Sequence, residues 1–450
     1  MTPRRLLFSG SNRPGAALIA GAAVLVALAG CSPGHPAPGG STTASPKVTL
    51  APGSSTARAT GPLNLPKIPW AGGPAYYARF PAAAAYGWTS PKFFPITVWD
   101  ASIDDPHEVA QDKAAGINTY LNPSGNDFPA AQAAGMSIIA SADPHPALGP
   151  EVVGYDLTDE PDGWARAGNG PIDKKTQQCA TSAPCAYTLL NYLDQLAPKS
   201  LGRFTYTNFT ATVIQQPEIG AHFLRDYQDV VSIDAYYYTN TGPSCYTSTV
   251  YGLVKSGECP KAADYGMDVR KELALVPGKP VWNYVEVGST VKDGTTITPA
   301  KLGGAVWSSI INGAMGIDYF IEDTGLKACQ GTGNLIRETS CPAAVAATSE
   351  IAHVDSQIKA LAPVLNTQSF RYTFNHSLDT MLKYKDGSYY IFAMPGLKGG
   401  AGSYTLHLPP GLSASKAEVV DEGRTIPIAN HAFTDSFAAE YSYHIYRITP

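Results

Sequence analysis

No G-x-S-x-G stretch occurs in this 450-residue sequence, so a serine nucleophile on a sharp strand-to-helix turn has no position to occupy. No two cysteines stand at C-x2-C spacing and the nine histidines are scattered, which leaves neither a zinc cluster nor a His/Asp metal centre to build on. No G-x-G-x-x-G follows an early strand, and a dinucleotide site is excluded with it. No metal or cofactor is therefore expected. Lys and Arg total 32 against 37 Asp and Glu, a net charge of −5 with no basic stripe, so nucleic acid is not an expected partner. Charged residues make up only 15% of the chain and hydrophobic ones 44%. That balance reads as globular, and the length admits two domains with a sizeable core.

What is present begins with a targeting segment. Arg4, Arg5 and Arg13 precede the apolar stretch GAALIAGAAVLVALAG, which stops at Cys31. A basic start, a short apolar core and small residues at its end read as a secretory signal over 1–31, outside the fold. The ending Leu28-Ala29-Gly30-Cys31 resembles a bacterial lipobox. The resemblance implies cleavage before Cys31, lipid on its sulfur and an extracytoplasmic protein anchored to the cell membrane. Acyl chains contribute about 0.8 kcal/mol per buried CH₂, so two or three of them anchor durably. An ordinary signal peptide and a secreted product are the alternative. The six other cysteines, Cys179, Cys185, Cys245, Cys259, Cys329 and Cys341, fall as three close neighbours. In an oxidising compartment the local pairing 179–185, 245–259, 329–341 is expected, though other connectivities are formally open.

Residues 32–65 are rich in Pro, Gly, Ser and Thr with little to bury, and read as a flexible tether. Beyond it, apolar β-rich runs alternate with helical stretches. The runs are FFPITVWD, GINTYLN, GMSIIASAD, VVGYDLTDE, RFTYTNF, VVSIDAYYY, PVWNYVEV and GIDYFIED. Eight strand–helix repeats predict an α/β fold, a (β/α)₈ TIM barrel over 66–362. Glycines at Gly116, Gly135 and Gly316 are expected to close the preceding helices. The third crossover looks short, so local irregularity is expected there. After a last helix the pattern turns to short alternating strands with a hairpin at Asp386-Gly387, and 363–450 reads as a small antiparallel β-sandwich. Packing against the barrel is its expected role, with carbohydrate binding as the alternative. The protein is expected to be a monomer.

Catalytic residues of such barrels sit at the C-terminal ends of the strands. Those ends supply Trp99 and Asp100, Asn122, Asp143 with nearby His145, Asp159 and Glu160, Asn208, Asp234 with Tyr236–Tyr238, Glu286, and Glu322 with Asp323. The set is rich in carboxylates, amides and aromatics. Cleavage of a glycosidic bond uses such a set: one carboxyl protonates the leaving oxygen while another attacks the anomeric carbon or activates water. Aromatic rings offer a platform for sugar C–H faces, and amides bind hydroxyls.

In order and spacing the chain resembles a clan A glycoside hydrolase over about 90–325. The residues that carry the likeness are Glu160 in TDEPDG, Glu286 in KPVWNYVEVG, and the segment AVWSSIINGAMGIDYF. The resemblance implies a retaining hydrolase, with Glu160 as acid/base after strand four and Glu286 as nucleophile ending strand seven. It implies a carbohydrate substrate, for which the strand ends offer Trp99, Asp100, Asn122, Asp159, Asn208, Tyr236, Tyr238 and Glu322 as contacts; Tyr236 or Tyr238 either bonds the nucleophile or packs, as tyrosines in strands do. One departure stands out: the clan has Asn before the acid/base, and here it is Asp159. A second negative charge there raises the pair's affinity for a proton. It also keeps open a surface lipoprotein that binds carbohydrate without turning it over. Trp307, inside a helical stretch, reads as core. His145, flanked by prolines, reads as a loop histidine.

Overall fold

The computed structural model describes residues 62–125, 127–142, 149–197, 202–290, 297–322, 329 and 334–450. Cys31 and the tether up to residue 61, with Asp143, His145 and Asp323, lie outside them.

Eight parallel strands close into a barrel: β1 Ile96–Trp99, β2 Thr119–Leu121, β3 Ser137–Ser141, β4 Val152–Asp159, β5 Phe204–Thr210, β6 Val230–Asp234, β7 Val281–Glu286 and β8 Ile317–Phe320. Each corresponds to one of the eight apolar runs. The ring is completed where β1 pairs with both β8 and β2, Thr97 lying opposite Asp318 on one side and Thr119 on the other. Helices Pro106–Ala115, Phe128–Ala134, Ala186–Leu196, Pro217–Asp226, Ala262–Leu275 and Pro299–Ile311 form the outer layer between successive strands, and Pro342–Leu365 follows β8. Asp105 starts the first of these by accepting from the N–H groups of His107 and Glu108, satisfying donors that the helix itself leaves open. Gly116 and Gly135 close the first two in the left-handed conformation, as expected.

Gly316 does something else. The helix before it ends at Asn312, and a Cβ on Gly316 would lie 2.6 Å from the ring of Trp282. Glycine is there to admit an indole, not to end a helix. Between β3 and β4 no helix occurs among the described residues, and their pairing shifts register between Ile138 and Ile139, the irregularity expected at that crossover.

The N-terminal ends of the strands are plugged by aromatic rings. Trp88, delivered by the segment that precedes β1, stacks on Trp282 with centroids 6.0 Å apart and donates from Nε1 to Ser137 Oγ at 2.8 Å. Phe204, Tyr206 and Tyr284 complete this cluster. With that end sealed, the opposite end is where the barrel interior opens to solvent.

The C-terminal domain is a six-stranded antiparallel sheet covered by a two-stranded one, Gly402–His407 with Ala432–Phe437. Leu406, Phe433 and Phe437 of the small sheet share a core with Leu382, Ile391 and Tyr446 of the large one. The hairpin turns at Asp386 and Gly387, both at positive φ. Helix Pro342–Leu365 runs through residue 362, so the expected boundary falls inside its last turn. Leu63 and Leu65, expected in the tether, pack on the C-terminal domain, and the Leu63 N–H donates to the Tyr389 hydroxyl at 2.9 Å. Trp307 is fully buried and stacks on Phe392 at 5.8 Å, joining barrel helix to sheet. Three disulfides link Cys179–Cys185, Cys245–Cys259 and Cys329–Cys341, the local pairing expected.

Lys383 ties the two domains together. It is 2% exposed and donates from Nζ to the carbonyls of Leu365 and Thr367, both at 2.7 Å, at the end of helix Pro342–Leu365. Burial pushes its pKa down to about 7. Lys383→Met would strand two carbonyls at a helix C-terminus, and a loss of about 2 kcal/mol is expected in chemical denaturation. An unchanged denaturation midpoint would show that the contact contributes nothing.

Candidate active site

Strand alternation delivers the first carboxylate. Along β7, Val281 and Val285 face the helical layer, as does Asn283, which donates to Ser309 Oγ at 2.8 Å. Trp282, Tyr284 and therefore Glu286 face the interior. Glu286 has no exposed surface, and donors converge on it. The Tyr265 hydroxyl lies 2.7 Å from both carboxylate oxygens, and the N–H groups of Tyr238 and Thr239 each reach Oε1 at 3.2 Å. The Thr239 hydroxyl adds a contact at 3.4 Å. Burial pushes the Glu286 pKa above the ordinary glutamate range, and these donors, Tyr265 foremost, pull it back.

The second carboxylate sits just past β4. Glu160 has φ 46° and ψ 44°, the left-handed region, and stands immediately before the short helix Pro161–Trp164. Its N–H donates to the Asn208 carbonyl at 3.0 Å, which holds it against β5. Asp100 and Asn122 also take positive φ at the ends of β1 and β2, with φ of 49° and 48°. Three strand ends thus bend the same way over one rim. A non-glycine residue in this conformation costs about 1 kcal/mol, a cost tolerated where side-chain direction matters.

Around Glu160 the charges are of one sign. Burial holds the proton of Asp234, at the end of β6, well above the ordinary range, with the charges of Glu160 and Asp159 adding to the effect. Asp159 accepts from Asn208 Nδ2 at 2.9 Å. Burial raises its pKa to about 7 against the pull of that bond, helped by Glu160, Asp162 and Asp100. Asp100 is raised to about 6 by burial and the charge of Glu322. Asp162 serves the fold: it accepts from the Thr210 N–H at 3.0 Å and hydroxyl at 2.6 Å, fastening the turn after β4 to the end of β5.

The structure brings most of the expected residues together. Trp99 stacks on Phe320 with centroids 5.9 Å apart, and Tyr236 packs on Phe320 at 5.3 Å, so three rings cluster at the ends of β1, β6 and β8. Asn122 joins the rim through its N–H bond to the Ile139 carbonyl, 2.8 Å. Asn208 is 3% exposed, spanning Asp159 and the Ser232 hydroxyl, so it orients the acid rather than meeting solvent. Tyr238 departs from expectation. Its backbone N–H, not its hydroxyl, bonds Glu286, and the hydroxyl donates to Glu440 of the C-terminal domain at 2.8 Å.

Tyr265 was not among the expected residues because it belongs to a crossover helix and not to a strand end. Asp156 and Asp318 were also missed. Both are buried inside apolar strand runs, at 5% and 0% exposure, and both face the interior below the mouth, where Asp318 accepts from the Tyr206 hydroxyl at 3.0 Å. An acid at an inward position of a strand was the one available signal.

No family model and no curated protein matches the chain. Solved structures do resemble it at the level of barrel architecture. A GH30 endoxylanase from Clostridium papyrosolvens is 14% identical, with 80% of this chain and 97% of that chain covered at a TM-score of 0.42. An α-amylase from Geobacillus thermoleovorans complexed with acarbose is 10% identical over 80% and 99%, also at 0.42. A maltogenic α-amylase from Thermotoga neapolitana is 10% identical over 80% and 99%, at 0.44. The chain is similar to these glycoside hydrolases in fold.

The mouth has a consequence for stability. Asp159, Asp162 and Asp100 keep their protons to about pH 7, 6 and 6 when folded, against about 3.9 for an ordinary aspartate. The folded chain therefore binds more protons than the unfolded one between about pH 4 and pH 7, so stability falls as pH rises through that window. Asp105 and Asp435, which hydrogen bonds hold below the ordinary range, titrate beneath this window, and Lys383, lowered to about 7 by burial, opposes the trend only above pH 7 and does not reverse it. The thermal midpoint is expected to be higher at pH 5 than at pH 8, with Asp159→Asn narrowing the gap. A midpoint that rises over that range would contradict this electrostatic picture.

Proposed function

We propose that the protein is a retaining glycoside hydrolase, with Glu160 as general acid and then base and Glu286 as nucleophile. The observation that carries this reading is placement: Glu160 stands just past β4 and Glu286 at the end of β7, at the same end of one closed parallel barrel. Carboxyls from these two strands therefore belong to one rim. In the first step a Glu286 oxygen attacks the anomeric carbon while the Glu160 proton passes to the departing oxygen. In the second, water attacks that carbon, Glu160 takes its proton, and the bond to Glu286 breaks. Trp99 and Phe320 give the sugar ring its platform. Asp100, Asn122, Asp159 and Glu322 are the polar partners for its hydroxyls.

One observation favours a second reading, a carbohydrate-binding protein without turnover: Glu286 has no exposed surface and its donors already satisfy it. Turnover separates the two. Glu160→Ala and Glu286→Ala are expected to lose at least about 10³-fold in reducing-end release from the polysaccharide that the wild type cleaves. Glu160→Gly is expected to be equally inactive yet about 1 kcal/mol more stable than Glu160→Ala, because glycine accepts the left-handed backbone without cost. Full activity in either alanine variant, or binding with no release from any polysaccharide by the wild type, would remove the hydrolase reading.

The same proposal places the protein outside the cytoplasm, held by lipid on Cys31. The lipobox-like ending supports this, and three disulfides agree with an oxidising compartment. Among the described residues no helix is long and apolar enough to cross a membrane. Metabolic labelling with a fatty acid is expected to mark the wild type and not Cys31→Ala; equal labelling of both would refute the anchor.

A further inference from the structure

A side chain of the C-terminal domain, Glu440, reaches the groups that surround Glu286. Glu440 lies on the turn between strands Ala432–Phe437 and His444–Ile448. Its Oε1 accepts from the Tyr238 hydroxyl at 2.8 Å and its Oε2 accepts from the Ala262 N–H at 2.8 Å. Ala262 is the first residue of helix Ala262–Leu275, and Tyr265 stands one turn further along it. A carboxylate on an open N–H of a helix's first turn satisfies that donor and complements the positive end of the helix dipole.

Glu440 therefore grips both groups that present donors to Glu286. Through Ala262 it fixes the helix that carries the Tyr265 hydroxyl. Through the Tyr238 ring it fixes the loop whose N–H groups, at Tyr238 and Thr239, meet Glu286 Oε1. The two are also joined to each other, since the N–H groups of Tyr237 and Tyr238 donate to the Tyr265 hydroxyl at 3.1 and 3.3 Å.

The turn that bears Glu440 is itself held in place. Ala439 and Ser442 bond one another across it, N–H to hydroxyl at 2.9 Å and N–H to carbonyl at 3.2 Å. Gly304 of helix Pro299–Ile311 lets the turn approach closely, since a Cβ there would lie 2.6 Å from both the Cβ and the carbonyl oxygen of Tyr441. Lys261, next to Ala262, makes a further link between the domains by donating to the carbonyls of Leu397 at 2.6 Å and Gly399 at 3.1 Å. Lys301 lies over the Tyr238 ring at 4.8 Å and pulls the Glu440 pKa down against the stronger, raising effect of burial.

We propose that Glu440 is a positioning residue for Glu286, so that the C-terminal domain acts on the chemistry by holding the donors that orient the nucleophile. The proposal rests on the reading of Glu286 as that nucleophile. Without Glu440 the Tyr265 hydroxyl and the loop N–H groups lose their fixed geometry. The Glu286 carboxylate then loses stabilisation, and its pKa moves further up.

The test compares the full-length wild type with Glu440→Ala, Glu440→Gln and Glu440→Asp. Glu440→Ala is expected to lower kcat about tenfold or more with KM nearly unchanged, since no substrate contact is removed. The acid limb of its kcat/KM profile is expected to move to higher pH, and Glu440→Gln, which keeps one acceptor oxygen, to fall between. Amide exchange at Tyr238 and Thr239 is expected to quicken in Glu440→Ala while amides of β7 stay protected, a readout that needs no turnover. Wild-type kcat, acid limb and exchange in Glu440→Ala would overturn the proposal. So would a loss of activity that merely tracks the fraction of unfolded protein. Should Glu286→Ala retain full turnover, the reading of the site fails; should Glu286→Ala be inactive while Glu440→Ala behaves as wild type, only the role of Glu440 fails.

Discussion

A carboxylate taken out of water persists only where protein donors replace the water, and Glu286 is where that constraint acts most strongly. It stands at the end of β7 with no surface exposed, and the Tyr265 hydroxyl with two successive backbone N–H groups substitutes for solvent. The arrangement joins a strand, the loop after β6 and a crossover helix in one contact. It also leaves Glu286 with its charge oriented rather than solvated, the condition under which an oxygen lone pair can be directed at carbon.

The rest of the mouth follows from a second constraint, the mutual repulsion of acids. Asp100, Asp159, Asp162 and Asp234 hold their protons more firmly than ordinary aspartates, because burial and neighbouring charge both oppose ionisation. A site arranged in this way keeps proton donors near neutral pH without histidine. Asp159 illustrates it: the Asn208 amide pulls its pKa down, burial pushes it up, and burial prevails.

Much of this was legible in the sequence, for reasons that differ by element. All eight barrel strands could be read because each is a short apolar run ended by polar residues, the pattern a strand buried on both faces must have. Glu160 and Glu286 stood out as acids at the ends of such runs. The disulfides followed from local spacing. Gly316 misled because a glycine before an apolar run looks like a helix stop, and only the barrel interior shows the Trp282 ring that needs its space. Tyr265 was out of reach for a related reason: its role depends on the packing of a helix against the end of β7, not on any feature of AADYGMD. The Tyr238 hydroxyl turns away from Glu286 toward a partner, Glu440, supplied by a later domain. Local pattern identified what the strands deliver; it carried no information on what braces them.

The central claim is that β7 presents a nucleophile and β4 its acid partner. The most direct measurement is to trap the covalent intermediate with an activated 2-deoxy-2-fluoro glycoside of a sugar the protein cleaves, and to map the adduct by peptide mass spectrometry. This account requires the label on Glu286, with none formed in Glu286→Ala. A label on Asp234 or any other acid, or steady hydrolysis of natural substrate with inverted products and no adduct, would contradict it.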